Sequence, residues 1–205
     1  MNLKETYNKI AKEWHNDHQT DDWWVSGTDK FIELIKPRGL VLDVGCGGGT
    51  KSKYLISRGL KVVGIDISEN MINIAKTEVP EGKFIVMDLT EVGDLEDMFD
   101  GIFMQAVLLH IPKKDVPNIL KSVISKLKSG GYLYIAVKEK MPSGVEEEIK
   151  IENDYGYDYE RFFSYFTVEE LEKYFKDLKL EIVFVKNSPS KNGDRAWIKI
   201  IGKKV

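Results

Sequence analysis

The stretch VLDVGCGGG at 41–49 constrains this chain more than any other part of it. A short apolar run carrying a single aspartate leads into a turn with glycine at 45, 47, 48 and 49, and a helix is expected to follow. Glycines at such a turn let the backbone take φ/ψ values closed to other residues and come close to a ligand. Further short apolar runs follow it: VVGI at 62–65, FIVM at 84–87, FDGIFM at 99–104 and YLYIAV at 132–137, with helical segments between them. Runs that are apolar on both faces suit parallel strands covered by helices on both sides. The pattern predicts an α/β fold built on a mostly parallel sheet.

The flanks complete one domain over 1–205. Leu3, Tyr7, Ile10 and Trp14 fall at helical spacing, so the chain is expected to open on an amphipathic helix. His15 to Trp24 reads as a loop, and Phe31, Ile32, Leu34 and Ile35 as a second helix ended by Pro37 and Gly39. These make a helical cap over 1–38, before a ligand-binding core over 39–138. Within the core, Val116, Ile119, Leu120, Val123, Ile124 and Leu127 share one helical face, and Gly130 and Gly131 are expected to stop that helix. Residues 139–166 break the alternation with eight acidic, three basic and seven aromatic residues, and read as an insertion forming part of a lid. Over 167–205, Thr167 and Glu170 predict a capping box opening a helix with Val168, Leu171, Phe175 and Leu178 inward. EIVFVK at 181–186 and RAWIKII at 195–201 are joined by the turn-rich 187–194. A link that short holds no crossover helix, so the last two strands should be antiparallel.

Charge and cysteine usage exclude several partners. The net charge of −3 and the acidic insertion argue against nucleic acid, whose phosphates call for basic surface. Cys46 is the sole cysteine, so no intrachain disulfide is expected, as suits a reducing cytosol. The charged opening lacks a signal-peptide core, and no apolar run approaches the roughly 18 residues of a membrane span. A soluble cytoplasmic protein without a membrane partner is expected. The histidines, His15, His18 and His110, form no convincing metal-ligand set with Cys46, so no metal is expected.

Three ligand classes use a glycine turn of this kind. GCGGGTKS at 45–52 misses the phosphate-loop pattern at Thr50, and the same Thr50 replaces the last glycine of the dinucleotide pattern. Asp43, two residues before the turn, would repel a pyrophosphate but suits a ligand with an ammonium and a sulfonium.

Asp43-Val44-Gly45-Cys46-Gly47-Gly48-Gly49 resembles the acidic-x-Gly-x-Gly-x-Gly signature of the class I S-adenosylmethionine-dependent methyltransferases. The resemblance runs from Leu40 to the C-terminus. It implies a three-layer α/β sandwich around a seven-stranded Rossmann-like sheet, order 3-2-1-4-5-7-6 with the last strand antiparallel. It also implies methyl transfer from S-adenosylmethionine to a small-molecule acceptor, leaving S-adenosylhomocysteine. By the same resemblance the turn (Gly45, Cys46, Gly47, Gly49) holds the methionine portion. Asp66 grips the ribose hydroxyls with Ile67 and Met71 nearby, and Asp88 meets the adenine amino group with Met87 and Leu89 beside the ring. Gln105 lies in the segment beneath the methyl donor. Cys46 itself reads as a small residue in a tight loop rather than a nucleophile.

His110, after the fourth strand, is the candidate general base, since its ordinary pKa is near neutrality; fixing the loop through backbone near Pro112 is the favoured reading. Tyr7 and Trp14 either pack in the core or, as in similar enzymes, fold over the cofactor. The acidic insertion suggests an amine or other cationic acceptor. Two other functions stay open on these residues: a protein that binds the cofactor without transferring methyl, and a nicotinamide-dependent oxidoreductase.

Overall fold

The computed structural model describes residues 2–188 and 195–205. Each apolar run in the core becomes a strand: β1 (Leu40–Val44), β2 (Lys61–Asp66), β3 (Lys83–Val86), β4 (Phe99–Gln105) and β5 (Leu127–Lys138), all parallel. Helices α3 (Thr50–Ser57), α4 (Glu69–Glu78) and α5 (Val116–Ser125) join them. The insertion folds as a hairpin, β6 (Glu147–Glu152) and β7 (Tyr159–Ser164), in its own two-stranded sheet. Then come α6 (Val168–Asp177), β8 (Leu180–Ser188) and β9 (Trp197–Lys204). The main sheet runs β3-β2-β1-β4-β5-β9-β8, with β9 antiparallel to both neighbours. Setting aside the two hairpin strands, this is the order the resemblance implies. The turn expected over 187–194 falls mainly on 189–194, outside the described residues.

Strand alternation sorts side chains onto two faces. Leu42, Ile102, Met104, Leu133, Ile135, Ile198 and Ile200 point to one face, where α5 and α6 cover them. Val41, Phe103, Tyr134 and Ala136 point to the other, against Phe31 of α2 (Val25–Leu34) and Leu55 of α3. Each fully buried Leu or Ile in these layers contributes about 1.5–3 kcal/mol.

The structure moves several boundaries. The first helix, α1, spans Leu3–His18, so His15 and His18 are helical and the expected loop begins only at Gln19. Trp14 supports the extra turn: its carbonyl bonds His18 Nδ1 at 2.8 Å and its ring stacks on His18 at 4.2 Å. The helix before β5 ends at Ser125, before the Gly130–Gly131 pair, which instead lies in an irregular stretch where β5 leaves register between Phe99 and Gly101 of β4. At α6 only half of the capping box forms. Thr167 Oγ1 accepts from the Glu170 N–H at 3.2 Å, while the Glu170 carboxylate turns to Lys113 and Tyr174. Among the described residues no helix is long and apolar enough to cross a membrane.

Candidate functional site

One large cavity opens at the carboxyl ends of β1, β2 and β4, beneath α1, and encloses about 1210 Å³ including its mouth. Open α/β sheets bind ligands at this edge.

The glycine turn forms its floor. Gly45 and Gly47 have φ of +65° and +52°, a left-handed conformation costing a residue with a Cβ roughly 1–2 kcal/mol. At Gly45 a Cβ would also stand 2.3 Å from the Val107 side chain. The turn is fastened to β2: the Cys46 N–H donates to Ile65 O at 3.0 Å and the Gly47 N–H to Asp66 Oδ2 at 3.0 Å. Burial pushes the Cys46 thiol pKa well up, with the Asp43 and Asp66 charges adding to the effect, so the thiol stays protonated and unreactive.

Two carboxylates flank the turn. Asp43, only 2% exposed, is the penultimate residue of β1 and accepts from Ser52 Oγ at 2.6 Å. Burial raises its pKa to about 7 against the opposing pull of Ser52 and Lys51. Asp66, ending β2, accepts from the Gly47 N–H and, through Oδ1, from the Ser68 N–H at 2.9 Å. Burial raises its pKa too, and those backbone donors oppose the rise. Each Asp66 oxygen keeps a second lone pair for a ligand hydroxyl. Asp88 follows β3 and caps a short 3-10 turn: its Oδ1 takes the Thr90 N–H at 2.8 Å and the Thr90 hydroxyl at 2.7 Å. It therefore fills both the turn role and a position on the cavity wall.

The roof comes from α1. Leu3, Tyr7, Trp14 and His18 line the cavity from one face, while Ile10 points into the core. Gly48 lets α1 come this close, since a Cβ there would stand 2.3 Å from His15 Nδ1. Tyr7 OH meets His110 Nε2 at 2.8 Å, and His110 Nδ1 meets Phe162 O of β7 at 2.7 Å. A carbonyl only accepts, so Nδ1 carries the proton and Tyr7 OH donates to Nε2. Burial lowers the His110 pKa to about 3, with Arg161 and Lys138 adding to the fall; the imidazole is neutral. Its backbone partner is thus in the hairpin, not near Pro112.

Of the residues singled out from sequence, Tyr7, Trp14, Asp43, Gly45, Cys46, Gly47, Asp66, Ile67, Met71, Met87, Asp88, Leu89, Gln105 and His110 line this cavity together. Gly49 stands apart: it is the left-handed N-cap of α3 and sits against Ala75 and Val79. Residues 139–166 contribute nothing to the wall among the described residues. Most of their carboxylates are taken up elsewhere, Glu152 by Arg161, Glu146 by Lys140 and Glu148 by Tyr165. The acidity read from the insertion is thus not presented to the cavity. Sequence reasoning missed Lys51, His18, Asp21 and Trp23 on the wall. His18 was recoverable, lying four residues beyond Trp14 on a helix that runs one turn longer than expected.

A methyltransferase domain model matches residues 41–131. An S-adenosylmethionine-dependent methyltransferase from Methanosarcina mazei superposes with a TM-score of 0.71 at 26% identity, over 84% of this chain and 95% of that one. Residues 41–131 thus match a methyltransferase domain, and the chain as a whole is similar to S-adenosylmethionine-dependent methyltransferases. Among curated relatives, phosphoethanolamine N-methyltransferase 1 of Zea mays is 39% identical over 128 residues, 59% of this chain and 25% of that protein. A ubiquinone biosynthesis O-methyltransferase of Coxiella burnetii is 32% identical over 133 residues, 56% of each. The chain therefore spans from a quarter to just over half the length of these relatives.

The site fits S-adenosylmethionine, the cofactor of the methyltransferases this chain resembles, on its own geometry. Trp14 Nε1 and Gln105 Nε2 are buried without an acceptor among the described residues, and both residues line the cavity. Buried donors left unpaired cost about 1–3 kcal/mol each, a cost that a polar ligand removes.

Proposed function

We propose that this protein transfers the methyl group of S-adenosylmethionine to a small-molecule acceptor. The observation that carries this reading is the pair of carboxylates, buried Asp43 and part-buried Asp66, at adjacent strand ends on either side of a left-handed glycine turn. Asp66 would take the ribose hydroxyls through its free lone pairs, Asp43 would face the cationic amino-acid end, and Asp88 with Met87 and Leu89 would hold the adenine. When bound, the cofactor supplies a methyl group already activated on a sulfonium. The chain's task is then alignment and exclusion of water, and alignment lowers a barrier by roughly 7–11 kcal/mol.

His110 we assign to positioning. Both its nitrogens are engaged, by Tyr7 and by Phe162 O, and a pKa near 3 leaves it a weak proton acceptor at neutral pH. It ties α1 and the hairpin to the segment after β4, closing the cavity roof. The hairpin serves as the back support of that roof. The relatives act on nitrogen and on oxygen, so the element methylated here is not inherited from them.

The test is calorimetric titration with S-adenosylhomocysteine and with NAD. The account expects micromolar S-adenosylhomocysteine binding and no NAD binding; the reverse preference would overturn it.

A further inference from the structure

Among the described residues, Lys51 is the cavity-lining ammonium that the proposed cofactor reading leaves unused. It stands at the second position of α3, two residues past the glycine turn. Its Nζ lies 5.8 Å from the Trp14 ring centre and 5.5 Å from that of Trp24. Among the described residues no carboxylate comes within 4.0 Å of that ammonium and no acceptor hydrogen-bonds it; Asp43 and Asp21 act on it only through space. The donors around it are equally unspent. Trp14 Nε1 and Trp24 Nε1 are buried without acceptors, Trp24 being 4% exposed. The first turn of α3 lacks a side-chain cap, and a helix N-terminus favours negative charge.

A buried acid and a cation thus line one cavity with no hydrogen bond or ion-pair contact between them. Burial draws the Lys51 pKa down, a penalty that an anion beside it would remove. A ligand group carrying ammonium and carboxylate on a single carbon satisfies both at once. We propose that Lys51, with the indole N–H of Trp14, takes the carboxylate at the amino-acid end of S-adenosylmethionine, while Asp43 takes its ammonium. This rests on the proposed cofactor reading and names the residue that would make the site read an α-amino acid rather than a bare nucleoside thioether.

The experiment compares three ligands by calorimetry: S-adenosylhomocysteine, its decarboxylated analogue, and 5′-methylthioadenosine, which has neither group. In the wild-type protein, removing the carboxylate from the ligand should weaken binding at least tenfold. Lys51→Met should weaken S-adenosylhomocysteine by a similar factor and leave the decarboxylated analogue and 5′-methylthioadenosine within twofold. Lys51→Arg should restore most of the loss, and Trp14→Phe, which removes the indole N–H together with its five-membered ring, should weaken S-adenosylhomocysteine more than the decarboxylated analogue. Equal losses for all three ligands would make Lys51 a support of the turn and overturn the proposal, as would an unchanged S-adenosylhomocysteine affinity. A wild-type protein that binds 5′-methylthioadenosine as tightly as S-adenosylhomocysteine sinks this inference but not the cofactor reading; binding neither sinks both.

Discussion

Asp43 is buried and His110 part-buried beside the same cavity, and loss of solvent moves their pKa values in opposite directions. Asp43 rises from 3.8 to about 7, so the folded protein keeps a proton that the unfolded chain releases, and stability falls as pH rises through that window. A rise of that size costs the folded state on the order of 4 kcal/mol above pH 7. His110 falls from 6.5 to about 3, so the unfolded chain takes up a proton that the folded one refuses, and stability falls as pH drops below 6.5. Between about pH 4 and 6.5 the two nearly cancel. Asp43→Asn should unmask the histidine: its melting temperature should drop between pH 6.5 and 4.5 well beyond the wild-type change, and parallel profiles would refute this. Cofactor affinity runs the other way, because a cationic ligand end favours ionised Asp43. S-adenosylmethionine should bind about tenfold more tightly at pH 8 than at pH 6, a dependence that Asp43→Asn abolishes in a titration. Asp66→Ala should cut S-adenosylhomocysteine affinity by about 30-fold or more, since hydrogen bonds to a charged group are worth about 1.5–3 kcal/mol. It also frees the Gly47 and Ser68 N–H groups, so a melting temperature lowered by a few degrees should accompany the loss.

At the scale of elements, the polar contacts of α1 suit a roof that closes over a ligand. Tyr7 bonds His110, Asn8 accepts from Ser68 Oγ at the cap of α4, and Thr6 reaches Glu160 O of the hairpin. Tyr7→Phe and His110→Ala each break the Tyr7–His110 bond, and His110→Ala also frees Phe162 O, so the double variant should lose little more than His110→Ala alone; a double-mutant cycle on S-adenosylhomocysteine binding should show coupling of about 0.5–3 kcal/mol, and strict additivity would remove the Tyr7–His110 link from the account. The strands of the core were legible in the sequence because burial on both faces writes a continuous apolar run. The end of α1 was not: Asn16, Asp17 and His18 carry no apolar period, and it is the stacking of His18 on Trp14 that sustains the last turn. The hairpin was hidden for a related reason. Glu148, Lys150 and Glu152 alternate with Ile149 and Ile151, but those isoleucines are exposed, so the alternation marks no buried face.

Across the whole molecule, the residues of the site come from distant parts of the sequence, and what gathers them is the crossover at β1, where the sheet order changes direction. Asp43, Asp66, Asp88 and Gln105 were readable because each lies at or just beyond the carboxyl end of a strand. Lys51 was not, because its role depends on Trp14 and Trp24, which the sequence separates from it by the whole of α2 and β1. The central claim is that Asp66 grips a ribose while the glycine turn carries the amino-acid end of the same ligand. A crystal structure with S-adenosylhomocysteine tests this most directly. The account predicts both ribose hydroxyls within hydrogen-bonding distance of the Asp66 carboxylate and the homocysteine over Gly45 and Gly47; a ligand bound with its sugar away from Asp66, or outside this cavity, would contradict it.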